Sequence, residues 1–117
     1  MNYLENDYLI PVIFGDGKAA TVAAQYVFSK TGIRPYIFSV KPSFDQRLLF
    51  HGRSIPTGSE YATLTELCSF AEKNDSHGSL LLIYTRENKH FVCKYSDEVE
   101  SRFVTVCADE LINPLEE

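Results

Sequence analysis

Four consecutive residues, Gly15-Asp16-Gly17-Lys18, have the types and order that can bind an anion. They follow the apolar run Leu9 to Phe14, interrupted by Pro11, and precede an Ala-rich stretch that ends at Thr31-Gly32. With Ala20 they spell G-x-G-x-x-A. A glycine turn between a strand end and a helix start offers unpaired backbone N–H groups and the positive end of the helix dipole. The same residues also serve a plain structural purpose, a tight turn with a small Ala20 that lets helix and sheet approach. A dinucleotide site needs in addition an acidic residue ~20 positions on, to hold the ribose. The second apolar run ends in Ser39-Val40-Lys41, with no acid until Asp45, which argues against NAD. Lys41 suits a 2′-phosphate, but a single surface lysine is weak support.

Other chemistry is sparse. No G-x-x-x-x-G-K-[ST] phosphate loop exists, and Gly17-Lys18 has the GK pair without the loop. His51, His77 and His90 lie far apart, with no pair at i+3 or i+4, so they make no zinc set. Cys68, Cys93 and Cys107 are odd in number and form no CxxC pair, which reads as reduced, structural thiols. No G-x-S-x-G elbow is present. The sequence therefore predicts no catalytic residue and no metal ligand. Glu60-Tyr61 and Arg86-Glu87 fall near element ends and could touch a ligand, although charged residues there are usually just solvated.

The elements that must position these residues read as follows. Leu9 to Phe14 is a buried strand and Lys18 to Thr31 a helix closed by Gly32. In that helix Lys18, Thr21, Gln25 and Ser29 form one narrow polar stripe, which predicts packing on more than one side. Tyr36 to Val40 is a second, parallel strand. Ser43 and Gln46 fit a capping box that opens a short helix through about Phe50. His51 to Gly58 is a loop or short edge strand. Tyr61 to Lys73 is amphipathic, with Leu64, Leu67, Cys68 and Ala71 on one face. Ser59 caps it, or Thr63 with Glu66 does so one turn later. Leu80 to Tyr84 reads as a parallel strand covered on both faces. Residues 87–101 fit a strand or a helix: Phe91, Cys93 and Tyr95 alternate, whereas Phe91, Tyr95 and Val99 keep i+4 spacing. Phe103 to Cys107 is a strand, and Asp109 can cap a last turn over 110–115.

The 117 residues suffice for one domain with a real core. We expect an α/β three-layer sandwich, Rossmann-like, with a mainly parallel sheet of four to five strands and helices on both faces. It divides into a polar leader over 1–8, a core over 9–86 and a smaller piece over 87–117. A net charge of −5 without a basic cluster speaks against a nucleic-acid partner. No apolar run approaches the ~20 residues of a membrane span, and the start MNYLENDY lacks signal-peptide character. A cytoplasmic protein with no membrane partner is the expectation; the oligomeric state is not legible.

Three segments carry a resemblance across nearly the whole chain: PVIFGDGKAATVAAQYVFSKTGIRPYIFS, PSFDQRLLFHGRSIPTG and SLLLIYTRENKHFVCKYSDEVESRFVTVCADELINPLEE. Together they resemble the N-terminal, pre-ATP-grasp domain of ATP-grasp carboxylate–amine ligases. Such enzymes use ATP and magnesium to turn a carboxylate into an acyl phosphate, which an amine then attacks. The resemblance implies a domain that packs on downstream ATP-grasp domains and helps wall a site for a small carboxylate and amine, without catalysing by itself. It implies ATP and magnesium for the parent protein and no cofactor in this fragment, because the family's phosphate lysines and magnesium carboxylates lie beyond the position of Glu117. It also decides the ambiguous stretch: a helix begins near Glu87. Family members often carry a T-x-D turn there; Thr85-Arg86-Glu87 departs from it, so no contact is carried over to that turn. The alternatives are a stand-alone nucleotide- or dinucleotide-binding module and a non-catalytic interaction domain.

Overall fold

A computed structural model describes residues 9–55, 59–74 and 79–112. The leader, Pro56, Gly58, His77 and the end of the last expected helix lie outside the described residues. The centre is strand β1, Leu9–Phe14, paired on one side with β2, Tyr36–Ser39, and on the other with β4, Ser79–Tyr84. Strands β3, His51–Ser54, and β5, Val104–Cys107, form the edges. All four pairings are parallel, and the order is β3-β2-β1-β4-β5. Pro11 is compatible with a central position because β2 pairs only from Val12 onward, beyond the proline.

Parallel strands need helical crossovers, and these cover both faces. Helices α1, Gly17–Thr31, α2, Phe44–Leu49, and α6, Ala108–Ile112, share one face. Helices α3, Glu60–Asn74, α4, Lys89–Lys94, and α5, Ser96–Glu100, share the other. Each face has its own apolar core: Ile13, Ile37, Leu81 and Ile83 under α1, and Val12, Phe14, Phe38 and Leu82 under α3 to α5. The side chains of β1 alternate between the two, as a period of two requires. This is a Rossmann-like three-layer sandwich. Among the described residues no helix is long and apolar enough to cross a membrane.

Several local expectations change. Helix α1 buries one stripe only, Ala20, Ala23, Ala24 and Val27, and leaves Val22 and Phe28 about two-fifths exposed. Among the described residues its layer holds two other helices, of six and five residues, too short to cover its flanks. In the C-terminal piece, β5 extends the same sheet by pairing with β4. The helix expected near Glu87 is present: a 3₁₀ turn, Arg86–Asn88, leads into α4 and α5, which break at Tyr95. Burial of Phe91, Val92 and Val99 against the α3 side of the sheet overrides the strand-like alternation. Ser59, not Thr63, caps α3 by accepting the Ala62 N–H at 3.2 Å. Asp109 lies inside α6 and ion-pairs with Arg86 instead of capping.

The two turn glycines are needed for different reasons. Gly17 has φ 64, with open space where a Cβ would go. Gly15 has no positive φ, but a Cβ there would lie 2.3 Å from Thr85 Cγ2 and 2.5 Å from its Oγ1. Gly17→Val should therefore destabilise through backbone conformation alone, by about 1–2 kcal/mol. Gly15→Ala should destabilise by overpacking, by about 1–3 kcal/mol. Adding Thr85→Ala should recover part of the stability in the Gly15→Ala background, since the Cβ of residue 85 still lies 2.9 Å from the new methyl, and none in Gly17→Val. Urea unfolding of the four variants checks this; equal effects of Thr85→Ala in both backgrounds would contradict it.

Candidate functional site

The carboxyl edge of the sheet is tied together by side chains that satisfy strand and helix ends. Asp16 stands at the N-cap of α1 with extended backbone, yet its carboxylate does not cap that helix. Its Oδ1 accepts from Ser39 Oγ at 2.6 Å and from Val40 N–H at 2.7 Å, so it closes the end of β2. The Gly15 N–H donates to Phe38 O at 3.0 Å, and the Phe14 carbonyl accepts from Thr85 N–H at 3.0 Å and Asn88 Nδ2 at 3.1 Å. Gln46, buried, fulfils the capping box with Ser43 and also reaches across to α1. Its Nε2 donates to Gly17 O at 3.1 Å and to Thr21 Oγ1 at 2.9 Å.

Two depressions flank this edge. The first, about 520 Å³, opens on the α3–α4 side. Phe14, Phe38, Ile55 and Phe91 give it an apolar lining, and Asp16, Ser59, Glu60, Thr63, Glu87, Asn88 and His90 a polar one. The second, about 470 Å³, lies between α1 and α6 and includes Lys18, Val22, Thr85, Arg86 and Asp109. Both sit where the crossover helices change faces beside β1 and β4. Ligands of open α/β sheets bind outside the carboxyl ends of the strands at such a point.

Glu60 is held on the first cleft by Lys94 Nζ at 2.7 Å and by Tyr95 OH at 3.2 Å. The Lys94 hydrogen bond keeps the Glu60 carboxyl below the usual carboxylate range, and Glu60 in turn raises Lys94. In the second groove Arg86 donates twice to Asp109 Oδ2, at 2.6 and 2.9 Å, which raises the guanidinium further. Burial pushes the Cys68 thiol up, away from nucleophilic character.

The four residues expected to hold an anion do not converge. Asp16 lines the first cleft and Lys18 the second groove, while the Gly15 N–H is already bonded to Phe38 O. The donor set does not fit a triphosphate: one glycine amide is taken, and a carboxylate stands at the N-cap. Among the described residues no group of three or more His, Cys, Asp and Glu could hold a metal ion. Glu60 and Glu87, noticed at element ends, do reach a cleft. Asn88 and Phe91 line it too; the sequence marks Phe91 as a core residue, and their position after the central strand β4 is what points to a site.

No protein family, curated protein or solved structure matches the chain. The site is therefore tested on its own residues. Gln46→Met keeps the side-chain length and removes its bonds to Ser43 N–H, Gly17 O and Thr21 Oγ1. Stability should fall by about 2–4 kcal/mol, with faster amide exchange in α2 and the first turn of α1. Lys94→Met should move the Glu60 titration back up towards the ordinary carboxylate value. Because the folded value is depressed, the pair's contribution is present above the unfolded carboxylate pKa and is lost as pH falls through the folded one. Carboxyl ¹³C titration of both proteins reads this; an unmoved Glu60 midpoint would refute it.

Proposed function

We propose that this chain is the substrate-side, non-catalytic domain of an ATP-dependent carboxylate–amine ligase of the ATP-grasp type. One observation carries the reading. After β4 the chain runs through a 3₁₀ turn into a helix near Glu87, as the resemblance implies and local alternation does not. The parallel sheet and the open cleft at its carboxyl edge support it as well. In such a protein the cleft forms one wall of the substrate site. ATP, magnesium and the groups that hold them belong to downstream domains of the same polypeptide, in a cytoplasmic enzyme. The Gly15 to Lys18 turn then serves to lock β1, α1 and β2 together.

Two measurements test the proposal. The gene product carried to its natural stop codon should release ADP from ATP–magnesium only when a carboxylate and an amine are both supplied. The present chain should bind ATP–magnesium and NADP weakly or not at all, because a single helix N-terminus supplies only roughly half a positive charge. Calorimetric titration giving a low-micromolar dissociation constant for either nucleotide would favour a stand-alone nucleotide module instead.

A further inference from the structure

We propose that the first cleft binds an organic ammonium ion carried on an apolar body. Of the two substrates, this domain would then hold the amine; that last step alone rests on the ligase reading.

The lining carries an excess of negative charge, although His90 also lines it and acts on Glu60. Asp16, Glu60 and Glu87 face the cleft, and among its described lining residues there is no lysine or arginine. Among the described residues, three cations that adjoin lining residues are each engaged: Arg86, next to Glu87, is paired with Asp109. Lys94 is taken by Glu60, and the Arg53 guanidinium lies 5.6 Å from the Phe38 ring and 5.5 Å from that of Phe70. Asp16 is the fixed point of the site. Both bonds to its carboxylate come from neutral donors, the Ser39 hydroxyl and the Val40 amide, and both go to Oδ1. They orient the group without cancelling its charge. Ser39 is itself 1% exposed, so the carboxylate is seated on the body of the fold.

The floor complements such a cation. Phe14 and Phe91 meet edge to face at 5.2 Å and are nearly buried, so they back the cleft as packed apolar body, and Val40, about half exposed, gives it an accessible apolar wall. Such a wall accepts an apolar chain while the carboxylates meet its ammonium head. The volume, about 520 Å³, suits a small organic molecule. A carboxylate or phosphate entering the same space would meet like charges, which costs affinity.

The test uses ¹⁵N-labelled chain near neutral pH with two probes of the same body and opposite charge, 2-phenylethylamine and 3-phenylpropanoate. The ammonium probe should shift the amides of Ser59, Thr63, Asn88 and Phe91 saturably. The carboxylate probe should bind at least about tenfold more weakly, a difference of about 1.4 kcal/mol. Glu87 is exposed, so its substitution spares the fold. Glu87→Gln should weaken the ammonium probe several-fold, and Glu87→Lys should turn the preference towards the carboxylate. Equal response to both probes, no saturable shift with the amine, or affinities unmoved by both substitutions would overturn the proposal. Amine binding here without ATP turnover by the longer gene product would sink only the ligase reading; turnover without amine binding here would sink only this inference.

Discussion

Between Gly15 and Thr85 there is no room for a methyl group. A Cβ on Gly15 would stand within 3 Å of three Thr85 side-chain atoms. These residues follow the two strands at the centre of the sheet, and the Thr85 N–H donates to the Phe14 carbonyl just before Gly15. Close contact here holds the carboxyl ends of β1 and β4 in register while the chain leaves them in opposite directions. From Gly15 it turns under α1, and from Thr85 it turns towards α4. The remaining architecture depends on that divergence.

Once the helices part, both faces of the sheet must be covered separately, and two apolar cores result. The inner strands β1, β2 and β4 are buried on both sides and so are mostly apolar, whereas the edge strand β3, His51–Ser54, is polar and largely exposed. At the carboxyl edge the coverage is incomplete, because helices that start on opposite faces cannot fill the space above the strands between them. Two openings remain, one on each side. Their chemistry differs because different helix starts border them: Asp16 and Glu60 on the α3–α4 side, Lys18 and a paired Arg86–Asp109 on the other, with Glu87 shared between the two.

Polar groups near this edge are joined across long sequence separations. Asp16 reaches Ser39 and Val40, Gln46 reaches Gly17 and Thr21, and Asn88 reaches Phe14. Each satisfies a strand end or a helix end that would otherwise lie unpaired in a partly dry setting. No buried side-chain nitrogen or oxygen among the described residues lacks a partner. The result is an edge in which a carboxylate is carried by rigid elements, the condition for a site with defined geometry.

What the sequence by itself determined was local and periodic. The limits of β1, the glycine cap of α1 and the Ser43–Gln46 box are written in neighbouring residues, because strand burial and capping are short-range effects. The parallel α/β class followed from unbroken apolar runs such as Leu80 to Tyr84 alternating with helical spacing. Tertiary structure alone decided whatever depends on partners distant in sequence. The stretch 89–100 became helical because Phe91, Val92 and Val99 are buried together, although its alternation suits a strand just as well. Helix α1, apolar on most sides, is left half open because its neighbours are short. Asp16, in a turn that spells an anion motif, turned its carboxylate to Ser39. Lys18, two residues on, faces another groove, since an element boundary between them sends the side chains to opposite sides of the sheet.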